Sequence, residues 1–195
     1  MSNGATSKAE IELSKLHVIF ERGLDIDGRI LYLFGDIDET MAENIIMGLS
    51  YLSKSEGPIT LMINSQGGSV SDMFAIYDSM LACPNDITTI GIGEVCSAAG
   101  LLLVAGDTRL ASRNCLFMAH QVSGGYNADE SLHTVEAQVA ATRMCWDRWA
   151  KCMAKHTKHT ENYWNRELPS KIAELWLPSE KMMQAQHGII DAIWE

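Results

Sequence analysis

Apolar positions along this chain fall into two rhythms that take turns, short continuous apolar runs and longer stretches at helical spacing. Arg29 to Phe34 (Arg-Ile-Leu-Tyr-Leu-Phe) reads as a buried strand, followed by Ala42, Ile45, Ile46, Leu49 and Leu52 on one helical face. Thr40 with Glu43 is the spacing of a capping box that opens this helix. The unit repeats: Ile59 to Ile63 as strand, Gly67-Gly68 as turn, then Met73, Ile76, Tyr77 and Met80 on a helix face. A third unit runs from the β-branched Ile87 to Ile92 into a small-residue helix starting at Ser97, and Asn114 to His120 reads as a fourth strand. From Asp129 to Lys155 comes a helix free of Gly and Pro, carrying Leu132, Val135, Val139, Met144, Trp146 and Trp149, longer than a small domain needs. Glu174 to Leu177 predicts a short strand, Ser179 a cap for the last helix, and Gly188 its end before Ile189 to Ile193. Such alternation predicts an α/β fold of mostly parallel strands with right-handed crossovers. A site is then expected at the strand C-termini. Residues 1–10 are expected to be a disordered tail and residues 11–195 one domain, without internal repeat or linker.

Composition narrows the partners. A net charge of −10 and a pI near 5.0 over 195 residues argue against nucleic acid or an anionic membrane surface, which would repel the protein. The five cysteines (Cys83, Cys96, Cys115, Cys145, Cys152) are odd in number and lack C-x-x-C spacing, which with the absence of a basic-then-apolar leader predicts a reducing, cytoplasmic setting. The apolar runs, such as Leu101 to Val104, are far below the roughly 18 residues a bilayer span needs.

Chemistry concentrates where strands give way to turns. Ser97, in Gly93-Glu94-Val95-Cys96-Ser97-Ala98-Ala99-Gly100, stands at a strand-to-helix junction, beside unpaired N–H groups and the positive end of a helix. A serine there is commonly only an N-cap; its company makes it a candidate nucleophile. The Gly68 and Ala98 N–H groups, from two neighbouring strand ends, are positioned to form an oxyanion hole. His120, at the end of the Phe117-Met118-Ala119 strand and followed by Gln121-Val122-Ser123-Gly124-Gly125, is the candidate base, since imidazole accepts a serine proton near neutral pH. A carboxylate should fix its tautomer, and spacing leaves Glu167 and Glu174 both open.

These segments, together with Ile63-Asn64-Ser65-Gln66-Gly67-Gly68-Ser69-Val70, Ala75 to Met80, His156-Thr157 and Gly188-Ile189-Ile190-Asp191, resemble the ClpP family, the proteolytic subunit of the caseinolytic Clp protease, in order from about Ile30 to Ile193. The resemblance implies a crotonase-like fold of repeated ββα units with the Asp129 to Lys155 helix as a protruding handle. It implies Ser97 as nucleophile, His120 as base, Gly68 and Ala98 as oxyanion donors, and Glu174, ahead of Trp176-Leu177-Pro178-Ser179, in the place of the family's aspartate. Gly124 and Gly125 would pair with an extended peptide by strand addition. The chain departs from the family pattern in that glutamate, in Ala-Ala-Gly after Ser97, in Val122 for proline, and in the segment before Arg29.

Also implied are seven-membered rings stacked in pairs around a chamber, an AAA+ unfoldase as partner and unfolded protein as substrate. ATP would act only through that partner, and neither metal nor organic cofactor is expected. The leading function is thus a serine endopeptidase subunit of an ATP-dependent Clp protease. The alternatives are an inactive structural ring subunit, left open by Glu174, and an acyl-CoA enzyme of the wider crotonase group, against which the Ser97 and His120 pair speaks. Other features have plainer readings: His156 and His159 lack a third metal ligand at suitable spacing, Trp146 and Trp149 read as packing or ring-contact residues, and Cys96 as an inert neighbour of Ser97.

Overall fold

In the computed structural model, which describes residues 8–123, 125 and 129–195, the expected alternation becomes a mixed α/β fold built on a sheet of mostly parallel strands. Five parallel pairings run through β2 (Ile30–Phe34), β3 (Ile59–Ser65), β4 (Ile87–Cys96), β5 (Thr108–Ser112), β6 (Leu116–His120) and β8 (Ala192–Trp194). The short β1 (Leu24–Asp25) adds an antiparallel edge, and β7 (Glu174–Pro178) pairs antiparallel with β6. Strands covered on both faces carry near-continuous apolar runs, and Leu31, Leu33, Ile59, Leu61 and Ile63 are completely buried.

Helices α2 (Glu39–Leu52), α3 (Val70–Ala82) and α4 (Ala98–Val104) pack against this core through the residues the periodicity selects. Met73, Ile76, Tyr77 and Met80 are the buried face of α3, and every residue of α4 is buried. Two caps differ from expectation. Helix α2 is capped by Asp38, not by Thr40: Asp38 is extended (φ −130°, ψ −178°) and its carboxylate accepts from Met41 N at 2.8 Å, so the helix starts before Thr40. Ser179 does not cap α7 (Ser179–Met182) either; it is buried, and its hydroxyl donates to the carbonyls of Ser112 and Cys115, tying α7 to the β5–β6 connection. Lys8 to Glu10, expected in the tail, form the first turn of α1 (Lys8–Arg22), a helix without a buried residue.

One strand divides the sheet. The first half of β4 (Thr88 to Gly91) pairs with β5, and its last three residues (Glu94 to Cys96) pair with β6. Gly93 makes the change of direction at φ +62°, where a Cβ would lie 2.7 Å from Asn64 Oδ1. That oxygen accepts from Glu94 N at 3.2 Å and fastens the branch to β3. As a result β3, β4 and β6 end side by side. The long helix α5 (Leu132–His156) docks only its C-terminal half, through Trp146, Trp149, Ala150 and Met153; Leu132, Val139 and Met144 stand 75%, 48% and 68% exposed on the remainder. A π-helical turn (Tyr163–Glu167) and α6 (Leu168–Lys171) lead from α5 to β7. Among the described residues, no helix is long and apolar enough to cross a membrane.

Candidate active site

Ser97 occupies the one residue between β4 and α4. Its backbone sits at φ +55°, ψ −121°, a region a side chain rarely adopts and which costs on the order of 1–3 kcal/mol. The surroundings hold it there: Ser97 N donates to Met118 O at 2.7 Å, continuing the β4–β6 ladder, and Ser97 O accepts from Gly100 N at 3.0 Å, opening the buried helix. This turn lifts the hydroxyl off the strand line toward β6, whose last residue is His120. Ser97 Oγ and His120 Nε2 are 2.8 Å apart. Both residues are half-buried, accessible from one side and backed by the core on the other.

The Gly67-Gly68 turn closes over the same point. Gly67 (φ +101°) comes so near that a Cβ would lie 2.8 Å from Ser97 Cβ and 3.0 Å from Ala98 N, and its N–H donates to the buried Ser65 Oγ at 3.0 Å. Gly68 bridges to Ile37 through its neighbours: Ile37 N donates to Gly67 O and Ser69 N to Ile37 O. In a parallel bridge of this kind the central residue's own N–H points to the opposite side, so that of Gly68 is directed away from Ile37. Among the described residues, neither the Gly68 nor the Ala98 N–H has a backbone acceptor. Two donors therefore remain open at the serine, one from the β3 turn and one from the first turn of α4.

Glu174 begins β7 directly opposite His120 in the antiparallel register, which puts the two side chains on one face of the sheet. Its Oε2 accepts from Trp176 Nε1 at 2.9 Å, and among the described residues no hydrogen bond joins it to His120. Glu167, the other acid the spacing left open, lies in the π-helical turn and accepts from Asn162 Nδ2 at 2.8 Å. Gly125 is exposed, with open space where a Cβ would be; Gly124 lies outside the described residues.

A small cleft of about 60 Å³ adjoins the serine, walled by Val70, Met73, Val122 and Trp149 in addition to the polar groups. The sequence reads Trp149 as a packing or ring-contact residue, because a tryptophan at helical spacing gives no sign of which end of it a cleft will expose. Burial, with the Glu94 carboxylate nearby, pushes the Cys96 thiol up to about 11, and burial pushes Cys115 to about 12, so both stay protonated near neutral pH. His156 and His159 are not brought together. His156 Nε2 meets Tyr77 OH at 2.9 Å, whereas His159 Nε2 meets His187 Nδ1 at 2.9 Å and stacks on Tyr163.

The arrangement has the parts of a nucleophilic acyl-transfer site: a hydroxyl on a forced turn, an imidazole within hydrogen-bond reach and two unspent amides. Residues 18–195 match the family model of the Clp protease. The chain belongs to the Clp protease family. The match takes in all of the sheet, the Ser97 turn, His120 and the handle, and begins within α1. The mixed α/β sheet with its branched β4 is in keeping with the ClpP fold, and the Gly67-Gly68, Ser97 and His120 segments sit where β3, β4 and β6 end together.

Proposed function

We propose that this Clp protease chain is a serine endopeptidase subunit that cleaves unfolded protein through an acyl-enzyme on Ser97. The observation that carries the reading is the 2.8 Å approach of His120 Nε2 to Ser97 Oγ, on a turn held in a rarely adopted backbone conformation. In the forward step Ser97 Oγ attacks the peptide carbonyl carbon and His120 Nε2 takes the hydroxyl proton. The carbonyl oxygen becomes an oxyanion and accepts from the Gly68 and Ala98 N–H groups. The C–N bond then breaks, the imidazolium gives its proton to the departing amine, and an ester remains on Ser97. Water, losing a proton to His120, attacks that ester, and the same proton returns to Ser97 as the acid product leaves. No cofactor of the chain's own takes part. Glu174, opposite His120, is the proposed orienting carboxylate, and it would have to exchange Trp176 for the imidazole to act. Extended substrate would lie along Gly124 and Gly125 as an added strand.

The proposed setting is that of the family: seven-membered rings stacked in pairs, with an AAA+ unfoldase supplying unfolded chains at the expense of ATP. A second reading, a ring subunit that shapes the chamber without cutting, draws support from the Glu174 hydrogen bond to Trp176. Intact-mass analysis after treatment with a fluorophosphonate separates the two. The native chain should gain one adduct, while Ser97→Ala and His120→Ala gain none. An unreactive native chain in its assembled form would remove the peptidase reading in favour of the structural one.

A further inference from the structure

The space beside the candidate nucleophile is small and one of its walls is fixed. The cleft of about 60 Å³ includes the room around Ser97, His120, Gly68 and Ala98, so the part left for a substrate side chain is smaller still. A cavity of about 150 Å³ is what a benzene ring occupies in a protein core, and a single water needs roughly 10–15 Å³. On that scale the cleft accepts a methyl or hydroxymethyl group and excludes isobutyl and benzyl groups.

The walls differ in how far they can yield. Met73, on α3, is fully buried but unbranched and adaptable. Val70 stands at the first turn of α3 and is short. Trp149 is neither short nor free. Its ring lies stacked on Trp146, with centroids 4.9 Å apart and planes at 15°, and its other neighbour, Trp164, meets it edge-on at 83°. Those two rings are anchored in turn: Trp146 Nε1 donates to Asn165 O at 3.2 Å and Trp164 Nε1 to Thr157 Oγ1 at 3.1 Å. Trp149 is itself 3% exposed. Moving it would require the three-ring cluster between α5 and the π-helical turn to come apart.

We infer that Trp149 is the specificity-determining residue of this site and restricts cleavage to bonds that follow small residues, alanine, serine or glycine. The inference rests on the serine peptidase reading above. A small side chain would fill the cleft against the indole while its carbonyl reaches the Gly68 and Ala98 amides; a leucine or phenylalanine would hold that carbonyl back from Ser97. The discrimination acts on the transition state, because the misfit prevents the oxyanion from reaching its donors, and so it is read in kcat/KM.

The test uses the full chain in its assembled state and peptidyl-aminocoumarin substrates identical except for alanine, leucine or phenylalanine before the scissile bond. Fluorophosphonate labelling of Ser97 is measured alongside. We expect kcat/KM for the alanyl substrate to exceed that for the leucyl one by at least about tenfold, the range over which pockets resolve side-chain size. Trp149→Met and, separately, Met73→Ala are compared by the ratio of the two rates, which cancels any general loss of activity or of folded protein. Trp149→Met should move that ratio at least about tenfold toward leucine, and Met73→Ala should move it less. If Ser97 labels but the native protein cleaves the leucyl substrate as fast as the alanyl one, or if Trp149→Met leaves the ratio where it was, the inference fails while the peptidase reading stands. If Ser97 neither labels nor cleaves any of the substrates, the peptidase reading fails and takes the inference with it.

Discussion

Gly68 shows how much of the site is decided by single backbone positions. At φ +147° an added Cβ would lie 2.3 Å from Ile37 O and 2.8 Å from Ile37 N, and both are backbone atoms that cannot swing aside. Gly68→Ala therefore has to displace the turn, and with it the N–H proposed as an oxyanion donor. The expected result is a fall of about 10²- to 10³-fold in kcat/KM on a peptide substrate, the usual effect of losing one oxyanion donor. A circular-dichroism melt reports whether the sheet is intact, and an unchanged rate in a folded variant would remove Gly68 from the site. Ser97, His120 and the paired glycines were legible in the sequence because each follows a readable strand, and strand ends in an α/β sheet converge. The position of the Ser97 turn was legible as well, although its backbone angles were not. They follow from Ser97 N continuing the β4–β6 ladder while Ser97 O opens α4, two demands made on the same residue. The partner of Glu174 was also beyond the sequence: Trp176, two residues on along β7, lies on the same face and donates to the carboxylate.

Between elements, the loop after α5 is joined to the loop after α7 by the His159–His187 hydrogen bond and by Lys158 N donating to His187 O at 3.0 Å. Burial, and then the neighbouring His187, lowers His159 to about 4, while Glu167 pulls weakly the other way; burial and Lys181 lower His187 too. Depressed histidines keep the fold stable while neutral. The unfolded chain takes up their protons first as the pH falls below about 6.5, so the contribution is complete above that pH and is lost on the way down to about 4. Thermal melts between pH 7 and 4.5 should thus show a falling Tm, and His159→Gln, which cannot titrate, should flatten the slope. An equal slope in the variant would show that the pair does not carry this dependence. Elements of this kind mark the limit of sequence reading. The strand Thr108–Ser112 carries no signal of its own in the sequence, since Thr-Arg-Leu-Ala-Ser buries only Ala111 and its place comes from pairing with β4 and β8. Arg109 within it is held by Asp191, by His156 O and by Gly188 O, contacts 47 to 82 residues away that no local pattern announces. The long helix, by contrast, was read almost to its ends because uninterrupted periodicity without Gly or Pro is itself the signal.

At the scale of the molecule, α5 is split between a half that is locked and a half without a fully buried residue among those described. The Trp146–Trp149–Trp164 cluster fixes the C-terminal half to the core. The N-terminal half carries Leu132, Val139 and Met144 into solvent at 75%, 48% and 68% exposure. Apolar area left in water forgoes about 25 cal/mol per Å², and a helix presenting several such side chains on a rigid base gains that back most directly against the same helix of another copy. A two-fold pairing of handles is self-complementary, and it is the contact through which two rings of the proposed assembly would face one another. Two added carboxylates on each handle would repel their counterparts across such an axis, on a chain whose net charge is already −10. In light scattering after size exclusion, the native chain should therefore run as a particle many times its 21.5 kDa mass, and Val139→Glu with Met144→Glu should halve that particle without dispersing it into single chains. Halving assigns the handle to the contact between rings and leaves the contacts within a ring to other surfaces. A native chain that remains monomeric at every concentration would exclude the chamber, and a double variant of unchanged mass would move the ring-to-ring contact away from α5.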